Sequence, residues 1–220
     1  MRDFVYVTGM VLKSSPVLDY DRRLVVLTKE RGKITVFAKG ARRQGSRSMA
    51  ATDKFAFGNF KLYEGKDAYN LGEAEISYYF EELRTDFDGA CLGMYFLEFA
   101  DYYTRENNDE TDMLKLLFQS IRAIIKDTLD NRLVRVIYEI KAMCINGEFP
   151  GVPSDMKLSD AASYAIDYIV KTPIERLFTF TVTDNVLAEM KEISKSAMRR
   201  VIDREFKSLE MLDMMSSNIE

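Results

Sequence analysis

The stretch RRLVVLTKERGKITVFAKGARRQGSR, residues 22–47, decides the fold of this chain. Residues 24–28 form an apolar run rich in β-branched side chains, and residues 33–39 alternate strictly between inward and outward types. A charged turn with one glycine, residues 30–32, separates the two runs. Period-two alternation beside a short glycine turn predicts a β-hairpin.

The second strand of this hairpin is expected to have one inner and one outer face, because successive side chains of a strand point to opposite sides. The inner set is Ile34, Val36 and Ala38, and the outer set is Lys33, Thr35, Phe37 and Lys39. A loop with three arginines, Arg42, Arg43 and Arg47, follows directly. Lysines around an exposed aromatic, followed by a basic loop, suit phosphate contacts and base stacking. The alternative is a solvated edge strand whose lysines discourage edge-to-edge aggregation.

Three further strands are predicted around the hairpin, over residues 4–13, 55–63 and 68–74. Gly9, inside the first of them, indicates a bend or bulge, and Ser14, Ser15 and Pro16 are typical of a turn after it. Five short strands with a longer excursion between the third and fourth predict a partly open OB-fold barrel. We therefore expect an OB-fold domain over residues 1–78.

From about residue 76 the apolar pattern changes to a period of 3.6, which predicts packed amphipathic helices. The chain is thus an α+β protein of two domains, with an all-α domain over residues 79–220. Ser159 is the expected N-cap of one helix, residues 172–175 resemble a capping box, and the last helix is expected to begin near Asp184. One side of that helix is basic, which fits either a solvated face or a binding surface; its cations are Lys191, Lys195, Arg199, Arg200, Arg204 and Lys207.

Charge is divided unevenly along the chain. The net charge is −4, yet residues 1–66 hold 14 Lys and Arg against 6 Asp and Glu, whereas residues 67–220 hold 17 against 29. Such asymmetry indicates a basic module beside an acidic one, and the hairpin lies in the basic half. The sequence has no signal peptide pattern and no apolar run long enough to span a bilayer, so we expect a cytoplasmic protein without membrane association.

Composition argues against an enzyme. Histidine is absent, which removes the commonest general base and metal ligand, and no GxxxxGK[ST] phosphate loop is present. Carboxylate pairs such as Asp19 with Asp21 or Glu73 with Glu75 could hold a metal, but solvated surface acids are far commoner. The two cysteines, Cys91 and Cys144, fall on helical stripes and are expected to be buried thiols. We expect no catalytic residue, no cofactor and no metal.

Three segments taken together resemble the RecO family of bacterial recombination mediators. The most specific is GMVLKSSPVLDYDRRLVVLTKERGKITVFAKGARRQGSR, residues 9–47, with AKGARR at its centre. The segments KTPIERLFTF, residues 171–180, and REFKSLEML, residues 204–212, support it in the right order.

The resemblance implies a DNA repair function: binding of single- and double-stranded DNA, annealing of complementary strands, and loading of recombinase with RecR. It also implies that the helical domain binds the acidic tail of single-stranded-DNA-binding protein, and that the protein is associated with the nucleoid. Carried over to this chain, the DNA-binding positions are Arg22, Lys33, Lys39, Arg42, Arg43 and Arg47. Phe37 is added to them on strand parity alone. The alternative function is an OB-fold protein-interaction adaptor that does not bind DNA.

One departure from the family concerns zinc. Many members carry a four-cysteine zinc module where this chain has only Cys144 and a short Pro/Gly loop over residues 145–158. One thiol cannot supply a tetrahedral Cys₄ site, so zinc is not expected.

A basic cluster beside apolar residues is predicted at the junction of the second and third large helices. It consists of Arg122, Lys126, Arg132 and Arg135. An acidic peptide that ends in a hydrophobic residue requires an apolar pocket rimmed by cations, so this cluster is a candidate for the tail of single-stranded-DNA-binding protein. A solvated helix junction is the alternative.

Overall fold

A closed five-stranded barrel forms the first part of the fold. The computed structural model describes residues 4–210. The strands are β1 (Phe4–Val17), β2 (Asp21–Thr28), β3 (Gly32–Ala38), β4 (Phe57–Glu64) and β5 (Tyr69–Tyr78). They close in the order β1-β2-β3-β5-β4, and only the β3–β5 pairing among them is parallel. The prediction of an OB-fold barrel is confirmed, and the excursion between β3 and β4 contains one short helix, α1 (Ser48–Ala51).

The barrel core follows the predicted strand parity. Ile34, Val36 and Ala38 are at most 1% exposed, and they pack with Leu24 and Phe60 from neighbouring strands. Because alternate residues of each strand meet inside the barrel, the apolar positions of the hairpin must share one face. The parity prediction for residues 33–39 is confirmed.

Strand β1 differs from its prediction at both features that the sequence indicated. It continues through the expected turn at Ser14, Ser15 and Pro16, because these residues pair with Leu24, Arg23 and Arg22 of β2. The predicted turn is therefore wrong, since cross-strand pairing overrides its local turn composition. The register shift lies between Val11 and Lys13, after Gly9.

Gly9 is instead a point of close strand approach. It pairs with Thr28 on one side and with Gly58 on the other. A Cβ atom at Gly9 would collide with the carbonyl oxygen of Leu27, and one at Gly58 with that of Glu75. Two facing glycines thus allow β1 and β4 to pass close to the backbones of their other neighbours.

The rest of the described chain is helical. The helices are α2 (Phe87–Tyr103), α3 (Thr111–Lys126), α4 (Asn131–Ile145), α5 (Asp160–Lys171) and α6 (Asp184–Val201), with short 3₁₀ turns at Glu81–Arg84 and Ile174–Arg176. None of the helices within residues 4–210 is both long and apolar enough to span a bilayer. The final ten residues, including the end of the REFKSLEML segment and of the expected helical domain, lie outside the described residues, as do residues 1–3.

The chain divides into two compact units. One comprises residues 1–85 and 97–114, and the other comprises residues 86–96 and 115–220. The barrel unit therefore includes the end of α2, the following loop and the start of α3, beyond the expected domain of residues 1–78. That domain boundary stays a prediction.

Helix ends in the second unit show which local signals decided the structure. Ser159 accepts a hydrogen bond from the backbone N–H of Ala162, so the predicted N-cap is confirmed. The predicted capping box is wrong: Thr172 is the C-cap of α5, and Pro173 precedes only a 3₁₀ turn. Helix α6 begins at Asp184 as predicted but ends at Val201, so Arg204 and Lys207 lie beyond it.

A buried polar network holds three helices of the second unit together. The Glu139 carboxylate is 3% exposed and accepts hydrogen bonds from the Tyr95 hydroxyl at 2.8 Å, Arg135 Nε at 2.8 Å and the Ser194 hydroxyl at 2.5 Å. Burial raises the pKa of Tyr95 well above its usual range, and the nearby Glu139 charge adds to this. Because a buried carboxylate is costly unless it is paired and hydrogen-bonded, these three donors stabilise it inside the helical core.

The segment after Ile145 is a loop between α4 and α5, as predicted for residues 145–158. Burial raises the pKa of the Cys144 thiol, which keeps it protonated at neutral pH. Within residues 4–210 no three Cys, Asp or Glu side chains gather in a way that could hold a metal ion. The absence of zinc from the protein stays a prediction.

Candidate nucleic-acid interface

The AKGARR motif folds as a tight excursion from the barrel core. Ala38 and Ala41 are 1% and 0% exposed, whereas Lys39 between them is exposed. Gly40 has φ of +66°, a left-handed conformation that favours glycine. This turn returns Ala41 to the core, and the arginines that follow it lie on the surface.

The backbone after Gly40 is fixed by the turn between β1 and β2. The N–H of Gly40 donates to Oδ1 of Asp21 at 2.8 Å, and the N–H of Arg42 donates to the carbonyl oxygen of Tyr20 at 2.8 Å. The guanidinium carbon of Arg43 lies 5.4 Å from the centre of the Tyr20 ring. The loop is therefore held by its backbone and by one aromatic platform.

The charged ends of this segment remain exposed. We call Lys39, Arg42, Arg43 and Arg47 the basic loop; all four are exposed. Arg42 makes one long contact, 3.4 Å from Nη1 to the carbonyl oxygen of Asp19, which leaves its other donors available. A fixed backbone with exposed guanidinium groups is suited to bind the backbone phosphates of nucleic acids of any sequence.

Lys33 lies on the predicted outer face, but that part of the face is covered. Its ammonium donates to the carbonyl oxygen and, at 3.1 Å, to Oδ1 of Asp101, in the last turn of α2. Its cross-strand neighbour Leu27 is 0% exposed, as is Met10, the partner of Leu27 on β1. The end of α2 thus packs on this region, so Lys33 is not accessible in the way that the sequence predicted.

Asp101 joins two lysines of the barrel. Oδ2 accepts from Lys13 at 2.6 Å, and the side chain of Asp101 is 11% exposed. Burial alone would raise the pKa of Asp101, but the hydrogen bonds from Lys13 and Lys33 outweigh it and lower the pKa below its usual value. The pair of lysines therefore stabilises a buried charge.

Arg22 is also engaged within the protein. It pairs with the inward residue Ala38, and its Nη1 donates to the carbonyl oxygen of Met49 at 3.1 Å, to the Thr52 hydroxyl at 3.0 Å and to Oδ1 of Asp53 at 2.6 Å. Its side chain is 20% exposed. Arg22 ties β2 to the segment around α1 through Nη1, and its predicted contact with phosphate stays a prediction.

Phe37 faces outward and is half-buried, next to Arg23, which was not among the predicted DNA-binding residues. Arg23 is its cross-strand partner on β2 and is exposed. The signal for Arg23 was present, because it precedes the inward Leu24 and must therefore face outward. The structure brings Phe37, Lys39 and the rest of the basic loop to one end of the hairpin together with Arg23.

The predicted helical cluster is only partly assembled. Arg132 forms ion pairs with Asp130 and, at 3.0 Å, with Asp184, while Arg135 pairs with buried Glu139. Lys191 of α6 lies close enough to the positive charges of Arg132 and Arg135 for them to lower its pKa, although burial contributes more. The described contacts therefore group Arg132 and Arg135 with Lys191 and with three carboxylates. The other two cations lie apart from these contacts: Arg122 stacks over Phe118 at 5.8 Å, and Lys126 is exposed.

A shallow apolar groove lies after α6 in the same unit. It has a volume of about 290 Å³, and its apolar lining consists of Met198, Ile202, Phe206 and Leu209. Arg199 and Arg204 lie at its edge, together with Glu205 and Glu210. The groove combines apolar lining and cations, the two features required for an acidic peptide with a hydrophobic end.

Two family descriptions match the chain in order. Recombination protein O N terminal matches residues 1–80, and Recombination protein O C terminal matches residues 84–155. A DNA repair protein RecO of Acetivibrio thermocellus is 25% identical, over 96% of this chain and 96% of its own length. Another from Clostridium acetobutylicum is 27% identical over 94% and 96%, and one from Desulforudis audaxviator is 32% identical over 66% and 58%.

Proposed function

The chain belongs to the RecO family of DNA repair and recombination proteins, and we propose that it binds single- and double-stranded DNA through its barrel and anneals complementary strands. The observation that supports this most directly is the basic loop. Its backbone is hydrogen-bonded to the β1–β2 turn, while its guanidinium groups are exposed. Phosphate contacts of this kind carry little sequence information, so binding is expected at any sequence.

Annealing requires two strands to be held near each other without blocking their bases. Contacts to phosphates leave the pairing edges of the bases free, so electrostatic binding at the basic loop is compatible with pairing. No phosphate loop motif occurs in the sequence, and we propose that annealing proceeds without nucleotide hydrolysis, as expected of a protein that is not an enzyme.

The test is a salt titration followed by an annealing assay. Binding of a fluorescent single strand and of a duplex is measured by anisotropy, and annealing of complementary oligonucleotides is measured with and without single-stranded-DNA-binding protein. The logarithm of the affinity should fall linearly with the logarithm of salt concentration, by about 0.7 per phosphate contact for single strands. A chain that binds no oligonucleotide even at low salt would instead be the protein-interaction adaptor.

The same proposal includes two protein partners and a location at the nucleoid. We propose that the chain helps RecR to load recombinase on DNA coated by single-stranded-DNA-binding protein. For the acidic tail of that protein, the apolar groove edged by Arg199 and Arg204 is a better candidate than the Arg132 and Arg135 cluster. The reason is that the groove combines its cations with an apolar lining of Met198, Ile202, Phe206 and Leu209.

A further inference from the structure

We infer that Arg23 and Phe37 together form a subsite for single-stranded nucleic acid on the outer face of the barrel. Arg23 holds a phosphate beside the base that stacks on Phe37. This inference rests on the proposed DNA-binding function and extends it to a residue outside the basic loop. The ligand is an unpaired stretch of nucleic acid.

The strand register puts these residues in one outward row. Ser15 of β1 pairs with Arg23 of β2, Arg23 pairs with Phe37 of β3, and Phe37 pairs with Asn70 of β5. Directly opposite residues of paired strands share a face, so all four side chains lie on the outside of the barrel. Neighbouring strands are about 4.8 Å apart, and the row therefore spans about 14 Å.

The row lies between a covered region and the basic loop. On one side the outer face is occupied where Lys33 contacts Asp101. On the other side Lys39 follows Phe37 by two residues, in the turn that begins the basic loop. A single strand of nucleic acid that runs from the basic loop along the hairpin thus meets the row of Arg23 and Phe37 before it reaches the covered region.

Arg23 differs from Arg22 in its surroundings. Arg22 is 20% exposed on its side chain and bonded to the α1 segment, whereas Arg23 is exposed and directed outward. A guanidinium presents several donors in a planar fork that matches phosphate oxygens, and it does so here beside an aromatic ring. The Phe37 ring and the Arg23 guanidinium therefore offer one nucleotide a stacking surface and a phosphate contact at adjacent positions.

The subsite favours single-stranded over double-stranded nucleic acid because of Phe37. A duplex has no free base face to place on the ring, so only an unpaired strand gains from both residues. Oligothymidine is the suitable probe, since it has no secondary structure of its own.

The experiment compares Arg23→Ala, Arg23→Lys, Phe37→Ala and the double variant Arg23→Ala with Phe37→Ala, using oligothymidine and a duplex. Lys29→Ala is the matched control, because Lys29 is an exposed cation directly after the other end of β2, in the hairpin turn. Arg23→Ala should weaken oligothymidine binding about tenfold at low salt and reduce the salt slope by about 0.7. Arg23→Lys should recover part of the loss, and the double variant should lose less than the product of the two single losses.

The outcomes separate this inference from the proposed function. If the wild-type chain binds oligothymidine and Arg23→Ala behaves like Lys29→Ala, the inference is wrong while the DNA-binding function stands. If Arg23→Ala weakens duplex binding as much as single-strand binding, Arg23 is a general phosphate contact. The proposal of a subsite shared by Arg23 and Phe37 is then also wrong. If the wild-type chain binds no oligonucleotide at low salt, the proposed function itself fails. Thermal unfolding of the two Arg23 variants should match the wild type, because Arg23 is exposed, whereas Phe37→Ala removes a half-buried ring and its binding is compared at a temperature where the variant is folded.

Discussion

The Lys33 ammonium lies 3.1 Å from Oδ1 of Asp101, and this contact engages a predicted DNA-binding lysine, 21% exposed on its side chain, within the protein itself. Lys13 reaches the other carboxylate oxygen of Asp101 at 2.6 Å. Two barrel strands thereby hold the last turn of α2, and the outer face of the barrel is divided into a covered and an open part.

Asp101→Asn should lower the free energy of unfolding by about 1–3 kcal/mol at neutral pH, because it removes the charge that pairs with two lysines. The pKa of Asp101 is lowered in the folded protein, so its contribution is fully present above the unfolded pKa of about 3.9 and is lost as pH falls through the folded value. In urea unfolding between pH 7 and pH 3, the difference in free energy of unfolding between wild type and variant should therefore narrow toward the acid end. Asp155→Asn, in the exposed loop after α4, is the control and should change little. A difference that stays constant down to pH 3 would contradict this role of the charge.

Replacing Arg42 and Arg43 together by Ala should weaken binding of both single strands and duplexes. Two lost phosphate contacts should reduce the salt slope by about 1.4 for single strands and about 1.8 for duplexes. The melting temperature should hardly change, since both side chains are exposed and their only described contacts are with the β1–β2 turn. Anisotropy titrations at several salt concentrations check this, and a slope equal to that of the wild type would remove the basic loop from the DNA-binding surface.

Glu139→Ala should destabilise the helical unit by about 3–5 kcal/mol, because it leaves Arg135 without its partner and removes the acceptor of the Tyr95 and Ser194 hydroxyls. Arg135→Glu should also be strongly destabilising, since it would put a second carboxylate beside Glu139. Chemical unfolding measures both changes, and Glu98→Ala, on α2, offers a comparison at a half-buried acid. Arg135→Glu with wild-type stability would contradict the buried network.

The acidic tail peptide of single-stranded-DNA-binding protein should lose affinity when Arg199 and Arg204 are changed to Glu. The reason is that these cations edge the apolar groove formed by Met198, Ile202, Phe206 and Leu209. Lys126→Glu is the control, an exposed charge reversal in the originally predicted cluster. Calorimetric titration should show at least about a tenfold loss for the groove variant, at about 1.4 kcal/mol per factor of ten. Loss of binding in Lys126→Glu with no effect at the groove would return the site to the α3–α4 junction.

The purified protein should contain no stoichiometric zinc, and a chelator should leave its melting temperature unchanged. The physical reason is that the chain has only two cysteines and no histidine, too few ligands of these kinds for a tetrahedral zinc site. Elemental analysis and calorimetric melting with and without chelator are the measurements. One zinc ion per chain would overturn the expectation.

Local patterns of the sequence were sufficient for the barrel. The alternation over residues 33–39 predicted which side chains enter the core, and Ile34, Val36 and Ala38 are buried as expected. Such patterns succeed because one face of each strand must be buried, and the period of two then determines every side chain.

The same patterns could not reveal what covers the outer face. Lys33 and Phe37 have the same parity, yet Lys33 contacts Asp101, which lies 68 residues later in the sequence, and Phe37 is half-buried on the open part. Arg22 likewise finds its partners around α1, 27 to 31 residues away. Pairings between distant segments leave no periodic signal, so the internal contacts of Lys33 and Arg22 could not be predicted, and their part in DNA binding stays a prediction.

The apolar outer face of the barrel has a practical consequence for work on isolated fragments. Met10 and Leu27 face away from the barrel core and are fully buried beside the end of α2. A fragment that stops at residue 78 would keep all five strands but would expose this apolar surface to water. Contiguous exposed apolar surface promotes aggregation. A fragment through residue 114 would keep the end of α2, but it would also carry residues 86–96, whose buried Leu92, Tyr95 and Phe96 belong to the other unit and would then be exposed. Either cut is therefore expected to expose apolar surface, so DNA binding by the basic loop should be measured on the full chain.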